Sequence, residues 1–224
     1  MKKTLFLIGA LFVGSAAFAA EDTTVGFSFG TTNDLNSLKL SATDSVLSIH
    51  DAAIDVTGTK TLQGNSNAAA PSGTYIAPDV NIGTGGTWKI TFDLTNNSGQ
   101  DVIITGLNLN VLTFNASALP QNDTTGRDGS FSVSLDTTSF SGGADVTLAS
   151  LYQTTTVNTT GSYTLGANST VTVTIDAAKA PNEPDGFYVA LQGGSISYQV
   201  TPEPTTATLS LLALAGLCAR RRRK

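Results

Sequence analysis

Between Trp88 and Thr95 every second residue is apolar: Trp88, Ile90, Phe92 and Leu94 alternate with Lys89, Thr91, Asp93 and Thr95. A period of two sends successive side chains to opposite faces of an extended chain, so the segment predicts a strand with one face on a core. The same alternation recurs at Val25, Phe27 and Phe29, at Phe131, Val133 and Leu135, at Val171, Val173 and Ile175, at Phe187, Val189 and Leu191, and at Ile196, Tyr198 and Val200. Weaker strands are predicted at Leu38 to Leu40, Val46 to Ile49, Val146 to Leu148 and Tyr163 to Leu165. No sustained helical period interrupts them, and the Thr-, Ser-, Gly- and Asn-rich composition favours strands joined by turns.

Turn chemistry divides these strands. Asn96-Asn97-Ser98-Gly99 turns the chain after the first of them, and Val102 to Phe114 follows with a phase shift at Thr105-Gly106 that predicts a bulge. The two segments form either a hairpin or neighbouring strands of two sheets. Gln192-Gly193-Gly194-Ser195 is read as a short turn between the last two strands, and Gly58 to Gly86 as a long loop. About ten short strands of uneven spacing predict an all-β fold, a single antiparallel β-sandwich of jelly-roll or immunoglobulin-like type. A β-helix would need a fixed repeat of about twenty residues, and none is visible.

The two ends are different in kind. Lys2 and Lys3 precede an apolar stretch from Leu5 to Ala16, and Ala17-Phe18-Ala19 places the small residues Ala17 and Ala19 where signal peptidase reads them. Residues 1–19 are therefore expected to be a signal peptide, with export by the general secretory route, residues 20–201 the β-sandwich domain, and residues 202–224 a separate tail. In the tail Pro202, Glu203 and Pro204 precede an apolar run from Thr205 to Ala219 and a basic block of Arg220, Arg221, Arg222, Arg223 and Lys224. The run is shorter than the roughly 20 residues that cross a hydrocarbon core of about 30 Å. The basic flank compensates, since the positive-inside bias holds it on the cytoplasmic side and long side chains snorkel.

This order of triplet, Leu/Ala-rich helix and Arg block resembles the PEP-CTERM sorting signal of exported proteins in Gram-negative bacteria that make an exopolysaccharide. The resemblance covers about a tenth of the chain. It implies transient anchoring in the inner membrane, cleavage near Pro202, Glu203 and Pro204 by an exosortase, and release to the envelope surface or the medium. Many members of that family carry Val where this chain has Thr201. The resemblance implies nothing about the fold of the preceding domain.

Between Glu21 and Glu203 the chain has only five basic residues, Lys39, Lys60, Lys89, Arg127 and Lys179, against all 17 acidic ones. No basic patch is left to release counterions from phosphate, so nucleic acid is not an expected partner. The single cysteine, Cys218, lies in the tail, and no intramolecular disulfide is available.

Motifs for catalysis are few. His50 is the sole histidine, no Gly-x-Ser-x-Gly elbow accompanies it, and Gly83 to Gly86 lacks the lysine of a phosphate loop. No catalytic residue and no cofactor is expected. Calcium is the one candidate ion: Asn122, Asp123 and Asp128 crowd one loop and Glu183 with Asp185 another, although neither follows a calcium-loop pattern. Among the aromatics that could stack on sugar rings, Trp88 is in phase with the core, while Tyr75 and Tyr152 are better placed for ligand contact. The expected function is a non-catalytic cell-surface or extracellular-matrix protein, with exopolysaccharide as a candidate partner; the alternative is a secreted polysaccharide-binding module, with or without calcium.

Overall fold

The computed structural model describes residues 21–29, 38–40, 44–56, 61–64, 74–77, 88–115, 127–149, 154–179 and 187–201. Among them the chain is all-β, without a helix. In order come β1 (Thr23–Phe29), β2 (Leu38–Leu40), β3 (Leu47–Val56), β4 (Thr61–Gly64), β5 (Thr74–Ala77), β6 (Trp88–Asn96), β7 (Val102–Asn115), β8 (Arg127–Leu135), β9 (Thr138–Phe140), β10 (Val146–Leu148), β11 (Thr155–Leu165), β12 (Thr170–Lys179) and β13 (Phe187–Val200).

Two antiparallel sheets pack together. The first has the order β11-β7-β13-β1-β2, with β5 beside β13 and β4 beside β5. The second runs β10-β8-β12-β6-β3, with β9 also on β8. The alternation read in the sequence selects the inner faces: Ile90, Phe92 and Leu94 of β6 and Val171, Val173 and Ile175 of β12 are buried, as are Ile104, Leu107, Leu109 and Val111 of β7. Phe27 of the first sheet meets Phe92 of the second with ring centroids 6.1 Å apart at a 46° tilt. Each such Leu, Ile or Phe contributes about 1.5–3 kcal/mol through burial, which makes this shared layer the main stabilising element.

The Asn96 to Gly99 turn passes the chain from one sheet to the other, so β6 and β7 are not a hairpin. The phase shift at Thr105-Gly106 is a bulge: Gly106 pairs Ser197 and Ile104 pairs Tyr198, leaving Thr105 as the extra residue. Two expectations are corrected. Gln192 to Ser195 is not a turn, because β13 continues through it, with the register shifting between Leu191 and Gly193. The bulge changes the side-chain phase from Leu191 to Ile196, which in the sequence imitates two strands. Gly193 has φ +145°, a backbone region that side chains disfavour. The stretch Gly58 to Gly86 is also not simply a loop, since β4 and β5 form a hairpin inside it, and Ile76 pairs Leu191 of β13. Leu62 is the one large apolar residue of β4, and Tyr75, Ile76 and Ala77 of β5 are consecutive, so neither strand shows an alternation.

One margin of the packed sheets is joined by main-chain bonds. Ser141, just after β9, donates its N–H to Thr160 O at 2.9 Å and accepts from Thr160 N at 2.8 Å, linking the β9 side of the second sheet to β11 of the first. This bridge satisfies edge groups that would otherwise be open to another chain.

Candidate functional site

The two ends of the packed sheets differ in construction. At one, β1 begins and β13 finishes side by side, with Thr23 opposite Tyr198. The same end holds the β6–β7 corner, the 166–169 turn between β11 and β12, and the Asp136-Thr137 turn between β8 and β9. Asn96 organises the corner although it is fully buried. Its Nδ2 lies 2.8 Å from Gln100 O, 3.2 Å from Leu165 O and 3.0 Å from Gly166 O, while its Oδ1 accepts from Ser98 N at 2.9 Å and Ser98 Oγ at 2.7 Å. A buried amide is tolerated there because both of its ends are satisfied.

Thr201, the last described residue, is fixed to the same end. Its N–H and its Oγ1 both donate to Asp101 O, at 2.9 and 2.8 Å. Asp101 Oδ1 in turn accepts from Ala167 N at 3.0 Å, and Gln199 Nε2 donates to Asp22 Oδ1 at 3.0 Å. Tyr198 donates to Asp44 Oδ2 at 2.9 Å, and burial, reinforced by the neighbouring carboxylate, pushes its phenol pKa up. Glu21, Asp22, Asp44, Asp101 and Asp136 give this closed end its charge, and among the described residues no Lys or Arg lies there.

The opposite, far end collects the strand termini that bracket residues 30–37, 57–87, 116–126 and 180–186. β10, β8 and β12 are adjacent in the second sheet, and Leu148 opposite Arg127 and Lys179 opposite Gly129 mark their far-end termini. From these three strands spring the connections that contain Tyr152, the pair Asn122 and Asp123, and the pair Glu183 and Asp185. Those five residues lie outside the described residues. Asp128 does not belong to a loop as expected; it sits on β8, exposed, and accepts from Thr147 Oγ1 at 2.7 Å. Tyr75 is on β5 opposite Gln63 of β4 rather than in a loop. The basic residues Lys39, Lys89, Arg127 and Lys179 lie on the far-end halves of their sheets, and Lys89 Nζ is 4.0 Å from Asp176 Oδ1 in an exposed pair of little energetic weight.

Other candidates separate clearly. Tyr198 is buried and so offers no face to a sugar ring. Tyr163 is half-buried and donates its hydroxyl to Asp136 Oδ2 at 2.9 Å. His50 Nε2 lies 2.8 Å from Ser48 Oγ, a Ser–His contact within one exposed strand. Asp93 faces His50 in register, but its Oδ1 accepts from Thr172 Oγ1 at 2.9 Å. The Ser–His pair stands on an outer sheet face rather than in a cleft, and Asn97 Nδ2 donates to the same serine at 3.0 Å. This is a surface hydrogen-bond chain.

The outer face of the second sheet carries a row of small polar side chains: Thr91, Thr174, Ser134 and Ser139 follow one another across four strands through their successive pairings. Among the described residues no three His, Cys, Asp or Glu side chains gather into a metal-binding group, and no helix is long and apolar enough to cross a membrane. The signal residues Ala17 and Ala19, the triplet Pro202, Glu203 and Pro204, the block Arg220 to Lys224, and Cys218 all lie outside the described residues.

Sequence reasoning missed Asn96 and Asp44. An Asn in an Asn-Asn-Ser-Gly stretch reads as a turn residue, and nothing local signals that its side chain reaches carbonyls some 70 residues away. In comparisons with known proteins, no protein-family model and no curated protein sequence matches this chain.

Proposed function

We propose that the chain is an exported, non-catalytic cell-surface or extracellular-matrix protein. In this reading signal peptidase removes residues 1–19. The tail then holds the protein transiently in the inner membrane, and an exosortase cuts near Pro202, Glu203 and Pro204. The passenger is an acidic antiparallel β-sandwich of jelly-roll or immunoglobulin-like type, associated at its destination with exopolysaccharide. The observation that carries the reading is the order of triplet, apolar run and basic block directly after Thr201, which follows the end of β13 at Val200. Small hydroxyl side chains on the outer face of the second sheet suit a hydrated matrix.

The test is the intact mass of the protein recovered from outside its native host. A product from Ala20 to the neighbourhood of the triplet is expected. A product that keeps Arg220 to Lys224 overturns the exosortase step and makes the tail a permanent anchor.

A second reading, a secreted polysaccharide-binding module with or without calcium, draws on one observation: the strands that lead to Tyr152, Asn122, Asp123, Glu183 and Asp185 finish side by side at the far end. In that reading Tyr75→Ala or Tyr152→Ala abolishes retention on the host polysaccharide without changing the melting temperature. Equal retention of both variants and the parent protein removes the binding-module reading.

A further inference from the structure

We infer that the closed end of the domain faces the bilayer during the anchored stage and stands upright on it, with the far end pointing away. The inference rests on the tail being the membrane anchor. Both chain ends leave from the closed end: Thr23 pairs Tyr198, and Thr201 is clamped by two hydrogen bonds to Asp101 O. Only Pro202, Glu203 and Pro204 stand between that clamp and the apolar run that starts at Thr205. Three extended residues reach about 10 Å at most, so the closed end cannot move far from the surface in which the run is buried. The strands are much longer than that tether. β8 alone has 9 residues, which at about 3.3 Å each carries the far end roughly 30 Å outward.

Charge decides how the closed end meets the lipid. Glu21, Asp22, Asp44, Asp101 and Asp136 lie at this end without a Lys or Arg beside them among the described residues. At low ionic strength, where the Debye length reaches about 30 Å, the tether holds these charges within range of the headgroup potential. Anionic lipid therefore repels this end and holds it at the limit of the tether rather than against the headgroups.

The experiment uses the exported chain with its tail intact, carrying Cys218→Ala so that one introduced cysteine bears a fluorescent donor. Thr137→Cys labels the closed end and Ala149→Cys the far end; Thr137 is exposed and Ala149 half-exposed. Each labelled protein is reconstituted into phosphatidylcholine vesicles with an acceptor on the headgroups, and flotation verifies anchoring. Energy transfer at least twofold greater from position 137 than from position 149 is expected. With phosphatidylglycerol present, transfer from position 137 should fall at low ionic strength and recover in salt. Equal transfer from the two positions, or greater transfer from 149, in protein that floats overturns the upright orientation while leaving the anchor intact. Transfer from position 137 that rises when phosphatidylglycerol is added overturns the electrostatic part. A chain that does not float with vesicles overturns the anchor reading, and the orientation with it.

Discussion

Tyr198, near the end of β13 in the first sheet, donates its hydroxyl at 2.9 Å to Oδ2 of Asp44, which lies 154 residues earlier and leads into β3 of the second sheet. The other oxygen of the same carboxylate accepts from Val46 N at 2.6 Å and Leu47 N at 3.2 Å, so one side chain shapes the entry to β3 and joins the two sheets. Tyr198→Phe removes the cross-sheet bond but keeps the ring in the core. A loss of about 1–2 kcal/mol is expected, between the usual contribution of a neutral hydrogen bond and that of one to a charged partner. In a domain of this size that lowers the melting temperature by roughly 3–6 °C. An unchanged melt would show that the bond contributes nothing to stability.

The same pair sets an alkaline limit. Burial, then the hydrogen bond and charge of Asp44, raise the Tyr198 pKa above its ordinary 10.0; burial, then Asp136, raise that of Tyr163. A raised phenol pKa means that the folded state holds its proton while the unfolded chain gives it up. The stabilisation is complete below about pH 10 and is lost as pH climbs through the folded-state values. Denaturant melts should show a fall in stability that starts near pH 10, shallower in Tyr198→Phe than in the parent. Identical pH dependence in the two proteins would exclude Tyr198 as its source.

At the β6–β7 corner, Asn96 answers three carbonyl oxygens with its amide and two donors of Ser98 with its carbonyl. Asn96→Ala leaves those buried groups unpaired and is expected to cost about 3 kcal/mol or more. Asn96→Asp is expected to be worse than alanine, despite its near-identical shape, because a carboxylate would point at the oxygens of Gln100, Leu165 and Gly166 in a buried site. Urea titration of the two variants gives the order. Aspartate matching the parent's stability would mean that the amide is not what pins the corner.

What was legible in the sequence follows from the range of each signal. Ile90, Phe92 and Leu94 announced an inner face because periodicity is local and the buried layer obeys it. β2 and β10 were found with the boundaries Leu38–Leu40 and Val146–Leu148. β4 and β9 escaped because each carries a single large apolar residue, Leu62 or Phe140, where Leu38 with Leu40 and Val146 with Leu148 supply an alternating pair, and in β5 Tyr75, Ile76 and Ala77 are consecutive. The first half of β11 escaped because Thr155 to Thr160 puts threonine on both faces, and one of these, Thr159, is buried with its Oγ1 donating to Leu107 O at 2.6 Å. At the closed end, Thr201 and Asp101 are joined by a bond that spans 100 residues and has no local mark. The terminal segments are the reverse case: the proposed signal and sorting motifs are made of near-consecutive residues, so the reading of Ala17, Ala19 and Pro202 to Pro204 draws on no fold.

The misread Gly193-Gly194 pair yields the sharpest steric test. As a turn it would tolerate small side chains; inside β13 it has no room for them. A Cβ at Gly194 would run into Asn108 O of β7 and come within 2.7 Å of Phe27 Cζ. At Gly193 it would strike Phe27 O of β1, and the φ of +145° adds backbone strain. Phe27 is buried against Phe92, so it cannot swing aside without opening the core. Gly194→Ala is therefore expected to destabilise by at least about 3 kcal/mol, at the high end for overpacking because main chain rather than a flexible side chain is displaced. Gly99→Ala is the matched control, as its Cβ would meet nothing within 4 Å, and it should melt within about 0.5 kcal/mol of the parent. If the two variants melt alike, β13 does not run unbroken between β7 and β1, and the turn reading of Gln192 to Ser195 returns.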